Sequence, residues 1–388
     1  MRSFLCLPAL APSVVGVLFV TFSSSVFAQI TPDGTLGSEG TIVTPNQTIK
    51  DLPADLIEGG ASRGANLFHS FLEFNVNDGQ RVYFANPSGV ATIFSRVTGS
   101  NISNIFGTLG VNGGADLFFL NPNGILFGPN ARLDISGSFH ATTAEALVWG
   151  NGFQFSAVDP AAPPLLTVNV APGLQFGTTS GLIQQRGQLV AGQDLQLAAG
   201  ALDLQGQMGS GRNLRLDAQG NVVIRDTLLN PTILAAGQDL VVQGNNLVDI
   251  FVLNHPQSEI FAGGDLTLRS ENPVSGDAHF WSGGNFTIEQ LNDNLGDLVS
   301  LNDPIIFTGN DVFLASYTGA SLHILAGGLV YIPGDIFITQ SDTINSLKED
   351  VTLSDGRTVV SIDGSARPTV DIRAGVDWGG AWRSGFSC

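Results

Sequence analysis

The chain has 388 residues, of which 48 are glycine, 43% are hydrophobic and only 13% are charged, where soluble proteins carry about 25% charged residues. So few charges leave little material for the solvent faces of amphipathic helices, and 34 acidic against 16 basic residues, a formal charge of −18, repel phosphate backbones and anionic headgroups. Nucleic acid is therefore not an expected partner, and with cysteine only at Cys6 and Cys388 neither a disulfide framework nor a cysteine metal site is expected within one mature chain.

The first element is a leader. Arg2, an apolar run from Val14 to Phe22, the polar Ser23-Ser24-Ser25 and then Val26-Phe27-Ala28 have the three-part pattern of a secretory signal peptide, expected to span residues 1–28. The run is shorter than the ~20 apolar residues of a spanning helix, and no later stretch qualifies, so the mature chain is expected to lack a transmembrane segment. From Ile30 to about Val170, runs such as Arg81-Val82-Tyr83-Phe84 and Asp116-Leu117-Phe118-Phe119-Leu120 alternate with Asn-Pro and Gly-rich turns, which predicts short strands.

Beyond Pro172 a phrase recurs, as in Gly192-Gln193-Asp194-Leu195-Gln196-Leu197, Gly237-Gln238-Asp239-Leu240-Val241-Val242 and Gly263-Gly264-Asp265-Leu266-Thr267-Leu268. Glycine and Asx serve the turn, and two apolar residues spaced by one point to the same face of a strand. The phrases begin about 19 to 26 residues apart, which suits one solenoid coil with a loop of variable length. One coil cannot bury enough apolar surface to offset its own ordering, so coils must stack in parallel around a shared core. Asp194, Asn213, Asp239, Asp265, Asn285 and Asp311 are then expected to form a side-chain ladder along one turn.

At Phe119-Leu120-Asn121-Pro122-Asn123-Gly124-Ile125-Leu126-Phe127-Gly128 a strand enters an Asn-Pro-Asn-Gly turn and leaves as a second strand, with Pro122 setting φ and Gly124 free to take a positive one. This stretch, with Phe68-His69-Ser70-Phe71, Phe84-Ala85-Asn86-Pro87 and Gly137-Ser138-Phe139 in order around it, resembles the secretion domain of two-partner secretion exoproteins, the filamentous haemagglutinin N-terminal family, over roughly Ile30 to Trp149. The NPNGI hallmark of that family stands at Asn121, Pro122, Asn123, Gly124 and Ile125. A second motif, NPNL in many members, reads here Asn86, Pro87, Ser88, Gly89 and Val90.

The resemblance implies an all-β chain built as a right-handed parallel β-helix, a single-stranded solenoid with N-terminal capping strands. Residues 29–165 would form the secretion domain and 166–388 a β-helix repeat region. It also implies export through the periplasm of a Gram-negative-type bacterium by a dedicated outer-membrane barrel with POTRA domains. The product would be an adhesin- or haemagglutinin-like protein, secreted or held at the cell surface, with a surface receptor or polysaccharide of unknown identity as its other partner.

No enzyme, cofactor or metal is expected. Gly60-Ala61-Ser62-Arg63-Gly64 fits a nucleophile-elbow string but lacks the strand before it and the helix after it. His69, His140, His255, His279 and His323 are far apart in sequence without ligand spacing. Gly263-Gly264-Asp265 is half of a calcium nonapeptide without its second Gly-x-Asp. The alternative function is a polysaccharide-active β-helix enzyme, whose acids would be Asp265, Glu289 and Asp311. The loops Ser270 to Asp277 and Gln340 to Asp350 are candidate surface contacts. A finished solenoid needs a polar cap over its last coil; none is visible in the sequence, only Trp378, Trp382 and Phe386 among glycines. The chain is therefore expected to be truncated and to self-associate through its exposed end.

Overall fold

The computed structural model describes residues 30–163, 172–178, 180–353 and 355–376. The expected signal peptide and the aromatic tail with Trp378, Trp382, Phe386 and Cys388 lie outside the described residues. Among those described, the backbone is strand and turn, with one short 3-10 helix at Gly37–Glu39, and no helix is long and apolar enough to cross a membrane.

The strands form a parallel β-helix. Each coil visits three sheets in turn, called here I, II and III, which contain 13, 10 and 13 strands among the described residues. The recurring phrase supplies sheet I. Leu195 pairs with Leu214, Leu214 with Leu240, Leu240 with Leu266, Leu266 with Phe286, and Phe286 with Val312. All six are fully buried, as are Leu197, Leu216, Val242, Leu268, Ile288 and Leu314, two residues further along each phrase. Coil lengths vary without disturbing these two columns, because extra residues are taken up in corners such as Thr227 to Pro231, where Leu228 and Leu229 face solvent.

The Asx ladder is present. The carboxylate of Asp194 accepts the Asn213 amide N–H (3.1 Å), Asn213 the Asp239 N–H (3.3 Å), and Asp239 the Asp265 N–H (2.9 Å). Asp265, Asn285 and Asp311 repeat the bond onto Asn285, Asp311 and Leu329 (2.7, 3.2 and 2.7 Å). Upstream, Asp116 caps Ser138 N–H (2.7 Å) in the same way. Each side chain thus satisfies a corner N–H that the ladder hydrogen bonds leave over.

Antiparallel strands close the N-terminal end. Ile30–Pro32 pairs with Asn66–Phe74 on sheet I, and the hairpin of Thr41–Ile49 and Leu52–Gly59 starts sheet III. A second addition interrupts a coil. After Phe139–Thr142 the chain leaves the solenoid, makes the three-stranded sheet of Ala146–Val148, Gln154–Ser156 and Gly173–Gln175, and returns at Leu182–Gln185. The coils on either side of this excursion pair directly, Phe139 with Leu195 and Ile125 with Ile183. The core is therefore continuous from the coils before the excursion to the regular coils that begin at Gly192.

Sheets I, II and III end at Val330–Tyr331, Ile336–Gln340 and Val370–Arg373. Between the last two lies an insertion with an antiparallel hairpin of Lys348–Thr352 and Val359–Asp363. This charged element was not foreseen in the sequence.

Candidate export site

The turn at Asn121–Ile125 carries the chain from the sheet I strand Asp116–Leu120 to the sheet II strand Ile125–Phe127. Its first residue is wholly buried: Asn121 Nδ2 donates to Asn101 O (3.1 Å) and Ser103 Oγ (3.0 Å), tying the turn to the coil below. Asn121 Oδ1 accepts both the backbone N–H of Asn123 (3.0 Å) and its side-chain amide (3.1 Å), and that amide also donates to Gly99 O (2.8 Å). The coil above is held through Gly181 N–H to Pro122 O (3.0 Å). Gly124 has φ +132, and a Cβ there would lie 3.0 Å from Leu182 O, so the position resists any larger residue. Ile125 points into the core, between Ser103 and Ile183. Only Asn123 is exposed, with Pro122 half-buried.

The Asn86–Val90 turn sits at another corner, between sheets III and I. Asn86 Oδ1 accepts the N–H groups of Gly114 (2.9 Å) and Ala115 (3.1 Å), and its amide donates to Val90 O (2.8 Å). Pro87, Ser88 and Gly89 face solvent, and Gly89 has φ +86. The structure does not bring the two motifs together. The first is a brace closed on itself, and the second presents a free tip.

Two buried arginines were missed in the sequence. Arg96 donates to Ser70 Oγ (2.9 Å), Thr35 Oγ1 (2.8 Å), Ser156 O (2.9 Å) and Ala161 O (3.0 Å), and lies 4.3 Å from the centre of the Phe155 ring. Burial pulls its pKa down to about 10, against the opposing charge of Asp33. Arg63 reaches Pro163 O (3.0 Å) and forms a bidentate pair with Glu39 (2.6 and 2.9 Å). Together they strap residues 156–163 and the N-terminal cap onto sheet I, over which Phe155 and Trp149 pack on Phe68 and Phe94. The only local signal was an arginine in the otherwise uncharged strand-like run Thr92-Ile93-Phe94-Ser95-Arg96-Val97.

Enzyme-like features are dispersed. Ser62 is exposed in the strand Ala61–Arg63, which forms an antiparallel pair with Asn66–Phe74 rather than a strand-to-helix elbow. Asp265 and Asp311 belong to the corner ladder, while Glu289 ends its strand beside Arg269, four residues beyond Asp265 and so about 13 Å along the sheet. Among the described residues no three His, Cys, Asp or Glu side chains converge on a metal position.

The family described as "TPS secretion domain" matches residues 28–288, well over half of the chain. This chain belongs to that family. It is therefore an exoprotein of the two-partner type, secreted from Gram-negative bacteria, and a TPS domain implies an outer-membrane transporter as its partner. Similar solved structures include a filamentous hemagglutinin secretion domain, 19% identical with a TM-score of 0.37, covering 80% of this chain and 99% of that one. Another is the HMW1 secretion domain from Haemophilus influenzae, 13% identical with a TM-score of 0.39, covering 78% of this chain and 100% of that one. No curated protein matches the chain. The family is one of secretion domains and not of enzymes, and its match runs past residue 165 into the regular coils.

Proposed function

We propose that the chain is delivered to the periplasm by residues 1–28 and passed outward by a POTRA-bearing outer-membrane barrel. Residues 29–165 act as the secretion domain, and 166–388 are displayed at the cell surface or released as an adhesin-like filament with a receptor or polysaccharide partner. The observation that carries this reading is the TPS match over 28–288 with an intact Asn121–Ile125 turn inside it. The turn is the export element, and it is read before the coil closes. In the folded coil Asn121 is inaccessible and the Asn123 amide is occupied by Asn121 Oδ1 and Gly99 O, so a transporter meets free amides only on the unfolded chain. Sparse charge and coil-by-coil propagation suit threading followed by folding outside.

The test is co-expression with the partner barrel. Asn123→Ala should hold the protein in the periplasm, while the same variant refolded in vitro keeps a melting temperature near that of the wild type. Undiminished release to the medium refutes the assignment of the turn.

A further inference from the structure

The insertion between the last sheet II and sheet III strands folds back over the outer side of sheet III, and its anchorage is polar. Ile344, Leu353, Val359 and Val360 all face solvent, so the insertion contributes little to the apolar core. It meets the solenoid at a buried cluster. His323, on the strand Leu322–Ala326, has no exposed side-chain surface; its Nε2 lies 3.0 Å from Asp303 Oδ2 and its Nδ1 3.2 Å from Asp371 Oδ2. Ser346 of the insertion donates to Asp303 Oδ2, with its Oγ 3.3 Å from His323 Nε2. Asp342, also of the insertion, accepts the Asp303 N–H (3.0 Å), and Ser321 Oγ donates to Gly364 O (2.9 Å).

We propose that residues 342–353 and 355–369 form a flap that opens as a unit from the β-helix, clasped where Ser346 and Asp342 bond Asp303, which a His323 imidazolium holds in place. Loss of that charge frees the flap and leaves the coils folded.

The geometry fits a cation. With Asp303 and Asp371 ionised, both ring nitrogens face oxygens that only accept hydrogen bonds, and both then carry protons. Burial alone would push His323 down, but the hydrogen bonds and charges of Asp303 and Asp371 outweigh it and hold the ring up at about 9. The charged neighbours agree. Burial raises Asp371, but His323 and Arg373 outweigh it and hold its carboxyl below the usual range; Arg373 in turn pairs with Asp371 (2.6 Å) and with Glu349 of the flap (2.6 Å). Asp303 is raised by its burial, and burial likewise lowers His279, two strands away on sheet III, and raises Tyr317, on a strand of sheet II, which keeps both neutral. Asp342 is held low by backbone N–H groups, against its partial burial. Lys348 and Asp363 pair within the flap (2.9 Å).

Although Ser346, His323 and Asp371 stand in the order of a hydrolytic triad, the Nε2 proton faces Asp303 and leaves no lone pair to accept one from Ser346. The cluster is therefore a clasp and not a nucleophile. A segment with few buried apolar contacts is the kind that opens below the global unfolding free energy. By linkage, the contribution of His323 is fully present below its unfolded value near 6.5 and is lost as pH rises through about 9.

Hydrogen exchange with mass spectrometry on the mature chain at pH 7.5 tests this. In His323→Gln, peptides covering 342–347 and 363–373 should exchange at least tenfold faster than in the wild type, with 195–199 and 214–218 unchanged. Unaltered flap protection, or equal loss across all coils, overturns the proposal. If His323→Gln does not fold, the wild type decides by the 15N shifts of its histidine rings. His323 should be cationic at pH 7.5, and the flap should lose protection, corrected for intrinsic rates, between pH 8 and 10. A neutral ring at pH 7.5, or no selective loss, overturns it equally.

Discussion

Arg96 shows how much one buried charge organises. Its guanidinium joins the N-terminal segment at Thr35, sheet I at Ser70 and the strap at Ser156 and Ala161. Removing it leaves the buried Ser156 carbonyl and the Ala161 carbonyl without this donor and empties the space against Phe155. Arg96→Met should therefore cost about 3 kcal/mol, read as a drop in the urea midpoint of the cap; a loss below about 0.5 kcal/mol would contradict the hub role. His69 is the opposite case to His323. Its burial drives the ring down to about 3 with no compensating charge, so it is neutral in the fold and titrates near 6.5 once unfolded. Stability is then lost as pH falls from about 6.5 towards 3, by about 1.4 kcal/mol per unit at most. The acid limb of a urea-midpoint titration should flatten in His69→Gln. An unchanged slope would show that the carboxylates alone set acid sensitivity.

At the scale of the element, the corner ladder is the device that tolerates coils of different length. Each Asx oxygen fixes the start of the next sheet I strand, whatever the other corners do. Asp265→Ala should lose about 1 kcal/mol, since the Asn285 N–H is left without its acceptor. Asp265→Asn should keep most of the stability, because an amide oxygen accepts equally and one carboxylate is removed beside Asp239. Equal melting temperatures for the alanine and asparagine variants would mean that water replaces the ladder. The ladder was legible from its phrase as far as Asp311, and its upstream donor Asp116 stands in the same phrase, Gly114-Ala115-Asp116-Leu117, but the step onto Ser138 was not legible because Gly137-Ser138-Phe139 has no Asx at the corner. In the same way the Asn121 turn was legible as a turn, while its closure on Gly99, Asn101 and Gly181 depends on two other coils. In the loop Gln340 to Asp350, Asp342 and Ser346 turn inward while Ile344, Lys348 and Glu349 face solvent.

For the whole molecule, one hydrophobic core runs from Ile57 to Ala326, so the proposed secretion domain and the repeat coils share it. A fragment of residues 29–170 keeps the cap and the first coils, and circular dichroism should show it β-rich. It should melt below a fragment of 29–288, because Ile125–Phe127 and Phe139–Thr142 lose their partners Leu182–Gln185 and Leu195–Ala199. A helical or disordered spectrum would contradict autonomous folding, and equal melting would contradict coupling through the stack.

The coil is written in the order of residues alone. Period-two apolar pairs behind Gly-x-Asx corners admit one packing, parallel stacking with like residues in columns, because any other register exposes the pairs. The family resemblance was likewise written in contiguous residues, Asn121 to Ile125. Where the chain leaves the coil, and which charges end up buried, depends on contacts between distant segments. Arg96 meets Ala161 across 65 positions and His323 meets Asp371 across 48, and neither partner is marked by local spacing. Their burial follows from where the excursion and the flap come to rest, and that placement depends on shape and on paired charge rather than on any periodic pattern.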